Sequence, residues 1–145
     1  GRSSLSNLLD FYYDVYESLD KSNSVDIIYL DFAKAFDKVP HERLVLKLQA
    51  CGIGGNILRW IQNWLKDRRQ RVSIKGVSSD WIKVESGVPQ GSVLGPLLFV
   101  IYINDLEKNI NSKVSMFADD TKLHAVVNKE EDANLLRRDL NKIWQ

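Results

Sequence analysis

"SKVSMFADDTKLHAV", residues 112–126, decides how the rest of the chain is read. An apolar run climbs into two adjacent carboxylates, Asp119 and Asp120, and returns at once to alternating apolar residues. Period-two patterning on both flanks of a short polar tip predicts a β-hairpin over 113–127. Two like charges at that tip repel each other, so the pair asks either for open solvent or for a cation. Taken alone it fits an ordinary solvated turn, because Asp bonds readily to neighbouring backbone there.

Outward from the hairpin the periodicity changes. The segment after it predicts a helix over 130–144, with acids first and Arg137, Arg138 and Lys142 later, the order that suits the helix dipole. Before it, "VLGPLLFVIYI" (93–103) predicts a buried helix running to about Leu106, and its 11 apolar residues are too few to cross a bilayer. "VDIIYLDF" (25–32) is short, β-branched and aromatic, which predicts a strand buried on both faces or nearly so. Residues 3–20 carry Leu5, Leu8, Leu9, Tyr12, Val15, Tyr16 and Leu19 at helical spacing, behind serines suited to an N-cap. Pro40 and Gly52 bracket a helix in "HERLVLKLQACG", and 56–67 forms another with Ile57, Trp60, Ile61, Trp64 and Leu65 on one face. Trp60, Trp64 and Trp144 thereby go to core packing. "RVSIKG" and "WIKVES" predict a second hairpin turning at "VSSD" (77–80). Strands and helices mix without regular alternation, so the fold class is α+β.

Composition bounds the function. With 145 residues, 44% hydrophobic and 27% charged, the chain is long and apolar enough for one globular domain. A net charge of +1 argues neither for nucleic acid nor against it. Cys51 is the only cysteine, which excludes an intrachain disulfide and favours an intracellular, reducing setting. The opening "GRSSLSN" has no initiating methionine, and the end falls inside an expected helix, so the sequence reads as an excerpt from a longer polypeptide. His41 and His124 lack partner spacing for zinc and read as surface or helix-start residues.

Three carboxylates interrupt apolar runs: Asp31 follows Ile27–Leu30, while Asp119 and Asp120 follow "MFA". An ionised carboxylate among apolar neighbours is costly unless something positive sits beside it. At strand ends their oxygens can converge, and a hard divalent cation such as Mg²⁺ supplies the missing charge. Asp31 by itself equally suits a helix N-cap. The combination, in order and with "GVPQGS" (87–92) between, favours the cation.

"LDFAKAFDKVPHERL" (30–44), "SGVPQGSVLGPLLFVIYINDL" (86–106) and "FADDTKL" (117–123) resemble motifs A, B and C of reverse transcriptases, specifically those of animal non-LTR, LINE-type retrotransposons. The likeness covers essentially the whole chain, and the three motifs together are specific where each alone is weak. It implies a polymerase palm, a central antiparallel sheet of ferredoxin- or RRM-like kind packed on helices, with incomplete fingers and no thumb. Residues 1–24 are then the fingers–palm junction helix and 25–145 the palm. By the same resemblance Asp31 and Asp119 bind metal directly with the Phe32 carbonyl, and Asp120 completes the cluster. Two Mg²⁺ ions about 4 Å apart, with Mn²⁺ as the alternative, activate a primer 3′-hydroxyl and stabilise the departing pyrophosphate. Phe36 matches the aromatic gate that leaves no room for a 2′-hydroxyl; otherwise it is a core residue opening a helix. Lys34 and Ala35 match the backbone segment that approaches the triphosphate. Gln90 matches a contact to the incoming nucleotide, and Gly91 lets backbone come close to nucleic acid. Arg68 and Arg69, in the basic cluster "KDRRQR" (66–71), follow template or primer phosphate or else form a solvated helix end.

The implied partners are an RNA template, a DNA primer and deoxynucleotides, together with the fingers, thumb and endonuclease regions of a longer polyprotein. No membrane is implied, and the family sets nucleus and cytoplasm as the expected location. Three classes stay open: an active reverse transcriptase palm, a folded relic that at most binds nucleic acid, and the palm of an RNA-copying RNA polymerase. Phe36 speaks against the last, since ribonucleotide enzymes need a small polar group near the 2′-hydroxyl.

Overall fold

In the computed structural model, which describes residues 4–117 and 119–143, the elements run α1 (Ser4–Asp20), β1 (Val25–Asp31), a 3-10 turn (Ala35–Lys38), α2 (His41–Ala50) and α3 (Gly55–Leu65). Four two-residue strands follow, β2 (Arg69–Gln70), β3 (Ser73–Ile74), β4 (Val77–Ser78) and β5 (Ile82–Lys83). Then come α4 (Leu94–Ile103), β6 (Lys113–Phe117), β7 (Asp120–Val126) and α5 (Glu130–Ile143). They fall into two units: the described residues up to Ala33 and from Asp105 onward, and Lys34–Asn104. The class is α+β, as the mixed periodicity predicts. Among the described residues no helix is long and apolar enough to cross a membrane.

In the first unit the sheet order is β1-β7-β6 and both pairings are antiparallel. The hairpin forms as its alternation predicts, and β7, flanked on both sides, carries fully buried Leu123. β1 corrects the expectation of a strand buried on both faces or nearly so. It lies at the sheet edge; Leu30 is its only buried residue, and Tyr29 is 68% exposed. A second correction concerns α1. Its apolar stripe, including Leu5, Leu9 and Tyr16, is exposed, and the buried residue is Phe11. The face that packs on the sheet is Asn7, Phe11, Asp14 and Ser18, because the strands opposite present polar groups. Asn7 Nδ2 donates to Met116 O at 3.0 Å, Asp14 pairs with Lys113, and Phe11 meets His124 edge-on at 5.1 Å.

α5 packs against β7 with Leu136 buried. Asp132, the third residue of α5, reaches back so that its Oδ2 accepts from the amides of Asn128 and Lys129 at 3.1 and 3.2 Å, fixing the chain's entry to the helix. Asp139, only 1% exposed, accepts from Asn111 N, Ser112 N and Ser112 Oγ at 2.8–2.9 Å, and from Lys142 Nζ at 2.9 Å. Burial disfavours its charged form, but those donors outweigh the penalty and hold the carboxyl below the usual range. The start of β6 is thereby tied to α5. Trp144 lies outside the described residues.

The second unit is built on helix packing. Val39, Leu44, Leu48, Leu58, Ile61, Leu65, Val88, Leu98 and Phe99 form its core, each contributing about 1.5–3 kcal/mol of burial. α4 packs with α2 and the 3-10 turn. α3 buries Leu58, Ile61 and Leu65. Its predicted face is only partly right: Ile57 and Trp60 are exposed, and Trp60 stacks on half-buried Trp64 at 6.2 Å, so core packing is overturned for Trp60. The second hairpin exists but turns elsewhere. β2 pairs with β5 and β3 with β4, leaving Lys75 and Gly76 at the tip with φ of 48° and 85°. Positive φ at both central residues matches the right-handed strand twist, and "KG" satisfies it where "VSSD" does not. Trp81 is exposed beneath the Arg71 guanidinium at 4.5 Å.

Candidate active site

The register of β1 on β7 puts Asp31 directly opposite Asp120. Directly opposed residues share a face of an antiparallel pair, with Cβ atoms about 5 Å apart. Two carboxylates far apart in sequence are thus neighbours at the head of the sheet, and Asp119 occupies the adjoining turn. Phe32 follows the strand end immediately. Asp31 caps no helix, since the next turn begins at Ala35 with Lys34 as its cap residue. Burial, the expected reason for a cation, does not apply. Asp31 and Asp120 are exposed and Asp119 is half-exposed, so burial is not the cost. The cost is like charge opposed across a strand pair. Among the described residues no Lys or Arg pairs with any of the three. Nor, among the described residues, do three His, Cys, Asp or Glu side chains stand close enough to hold a metal ion.

Lys122 shares that face. It lies opposite Tyr29, two pairs along from Asp31 and Asp120. Its ammonium sits over the Phe11 ring at 4.6 Å and the Tyr29 ring at 5.6 Å. Sequence pattern could have flagged it from the two-residue spacing after Asp120. Further along, His124 overturns its reading as a surface residue. It is 4% exposed, and neither ring nitrogen has a hydrogen-bond partner among the described residues. Burial chiefly, with Lys113 adding, lowers its pKa, while Asp14 at 3.7 Å opposes the shift.

The other predicted residues belong to the second unit. Lys34 adopts a left-handed conformation, φ 55° and ψ 44°, which costs a non-glycine residue about 1–2 kcal/mol. Its carbonyl accepts from Asp37 N and Lys38 N at 2.9 and 3.1 Å. Ala35 opens the 3-10 turn. Phe36 is half-buried, with one ring face stacked on buried Phe99 at 4.4 Å. Gln90 is exposed, and Gly91 beside it has φ of 79° with open space where a Cβ would stand.

Lys34, Arg68 and Gln90 line one open cleft of about 540 Å³ together with Lys38 and Lys83, two cations that pattern had not selected. Lys83 enters through the ribbon register, which no local signal reveals. Arg69, directly opposite Lys83 on the ribbon, is exposed and is not part of that lining.

The family described as reverse transcriptase (RNA-dependent DNA polymerase) matches residues 3–145. A probable RNA-directed DNA polymerase from transposon X-element of Drosophila melanogaster is 33% identical over 121 residues, 80% of this chain and 13% of that protein. The RNA-directed DNA polymerase from mobile element jockey of Drosophila funebris is 34% identical over 90 residues, 62% of this chain and 10% of its own length. A Pol polyprotein from type-1 retrotransposable element R2 of Popillia japonica is 29% identical over 93 residues, 64% of this chain and 15% of that protein. The chain therefore spans a small part of each of these relatives.

Proposed function

The chain belongs to the reverse transcriptase (RNA-dependent DNA polymerase) family, and from that premise we propose that it is the palm of a non-LTR, LINE-type enzyme. In this reading the protein copies an RNA template by joining deoxynucleotides to the 3′-hydroxyl of a DNA primer. The observation that carries it is the pairing of Asp31 with Asp120, with Asp119 in the next turn. Like charges opposed across a ladder weaken it, and a hard cation held between them turns that repulsion into attraction. Carboxylate oxygens with a backbone carbonyl are the donor set such an ion prefers.

Asp31, Asp119 and Asp120, with the Phe32 carbonyl, are the residues that would hold the metal. Their exposed and half-exposed side chains turn toward it on binding, since among the described residues no three such groups stand close enough without it. Mg²⁺, with Mn²⁺ as the alternative, supplies when bound the activation of the primer hydroxyl and the stabilisation of pyrophosphate. The backbone at Lys34 and Ala35 receives the triphosphate, and the strained turn at Lys34 is the kind of geometry that functional sites retain. Phe36 excludes a 2′-hydroxyl, and Gln90 contacts the sugar and base. Gly91, Arg68 and Arg69 follow template–primer phosphate, with Arg68 the better supported by its cationic cleft. The three strands of the β1-β7-β6 sheet are part of a ferredoxin-like palm, and the helix before residue 24 is its junction to the fingers.

The test is primer extension by the full-length gene product on an RNA template with Mg²⁺. Extension is expected, together with its loss in Asp119→Asn. Incorporation that persists in Asp119→Asn removes the metal assignment. A wild-type protein that folds and incorporates nothing is a relic.

A further inference from the structure

Short contacts weld the turn that carries Phe36 to the loop that carries Gln90. Val88 N–H donates to Phe36 O and Gly87 N–H to Val39 O, both at 2.8 Å. Ser86 Oγ donates to Asp37 O at 2.8 Å. The two backbones approach so closely that a Cβ on Gly87 would stand 2.7 Å from Asp37 Cα, and its φ of +89° also calls for glycine. Beyond Gln90 the loop closes on itself. Ser92 Oγ donates to Pro89 O at 2.7 Å and accepts from Gly95 N at 2.9 Å. Gly95 stands near the start of α4, and Phe99 of that helix is the residue on which Phe36 stacks.

Two side chains from elsewhere converge on the middle of this weld. His41, the first residue of α2, donates from Nε2 to Gly87 O at 2.8 Å. Arg68 Nη1 reaches the same oxygen at 3.5 Å, a longer and weaker contact. A carbonyl only accepts, so the short bond requires the Nε2–H tautomer. His41 is half-buried, which shields that bond from competing water.

We propose that His41 is a positioning residue for nucleotide binding: it holds Gly87 O, and with it the segment entering the Gln90 loop, at a set distance from Phe36. The proposal rests on the reading of Phe36 and Gln90 as nucleotide contacts. Losing the bond leaves Gly87 O with only the long Arg68 contact and loosens the loop from the turn. Misplacement of groups that grip the substrate raises KM before it lowers kcat.

Three variants of the full-length gene product test this, each read in two ways. His41→Ala is expected to raise KM for deoxynucleotides about tenfold with kcat held within about twofold, and to lower the preference for deoxy- over ribonucleotides. His41→Gln keeps an N–H donor at similar reach and is expected to return KM to within about threefold of wild type. His41→Leu fills the volume without a donor and stands in if the alanine variant does not fold. Hydrogen exchange at the Gly87 and Val88 amides reads the weld without catalysis and is expected to quicken in the alanine and leucine variants only. Unchanged exchange there overturns the weld whatever the activity. Quickened exchange with unmoved KM and sugar preference overturns the positioning role. A glutamine variant that recovers neither overturns the hydrogen bond as the cause. A folded wild type that incorporates nothing, with the exchange effect intact, sinks the polymerase reading instead.

Discussion

In the first unit Asp31 and Asp120 stand exposed at paired strand ends, held by the backbone ladder of β1 and β7. In the second, Phe36 leans on buried Phe99, and its turn is bonded to the Gln90 loop over a core of helix residues. A ladder can present charge to solvent because its own bonds supply the order. An aromatic ring has no such bonds and takes its orientation from what it packs against. Chemistry that needs charge therefore rests on register, and chemistry that needs shape rests on packing.

The largest expected effect separates these two modes most sharply. Asp31→Asn and Asp119→Asn should each lower primer extension by about a thousandfold or more. Asp31→Asn also removes a like charge from the ladder, so its thermal midpoint should stay level or rise. A falling midpoint in calorimetry would mean that the carboxylate serves the fold. Next comes Leu44→Ala in the second core, where Leu44 is fully buried. Denaturant titration should show a loss of about 2–5 kcal/mol. Nucleotide KM should rise in the conditions where that unit begins to open, while the β1–β7 amides keep their exchange protection.

A smaller loss is expected at the tie between α5 and β6. Asp139→Asn replaces a charged acceptor of four hydrogen bonds, and the cost should be about 1.5–3 kcal/mol. Because the folded carboxyl is depressed, its contribution is fully present above the ordinary Asp value and fades as pH falls through the folded one. Wild type and Asp139→Asn should therefore converge in stability in acid; parallel curves would refute the linkage. The smallest effect is a pH tilt from His124, whose folded pKa is lowered mainly by burial. The unfolded chain takes up that proton first, so stability should decline as pH drops below the ordinary histidine value and level off below the folded one. His124→Phe, which cannot titrate, should flatten that part of the curve.

Element positions were largely legible before the fold was known. Alternation marked β6 and β7, β-branched content marked β1, and Pro40 with Gly52 bracketed α2. Where the structure differs, the reasons differ too. In α1 the apolar stripe is exposed because Asn7 and Asp14 meet polar partners on the sheet, and a stripe cannot reveal what lies opposite it. In α3 the stripe is wider than its cover, so Trp60 is left outside. The ribbon turns at "KG", where both residues have positive φ, although Val77 and Ser78 resemble loop when taken with the two polar residues after them. The site residues were named by motif, whereas Lys38, Lys83 and His41 gained their places from contacts that no motif contains.

What the sequence determined alone is local: which residues alternate, which recur with each helical turn, where glycine and proline interrupt, and where acids stand among apolar neighbours. These follow from the two side-chain periods of the backbone and need no knowledge of the rest of the chain. Only the tertiary structure decided that Asp31 faces Asp120, that Phe36 rests on Phe99, and that His41 reaches Gly87 O. Strand register is a relation between distant segments, and a slip of one residue would turn Asp31 to the opposite face of the sheet.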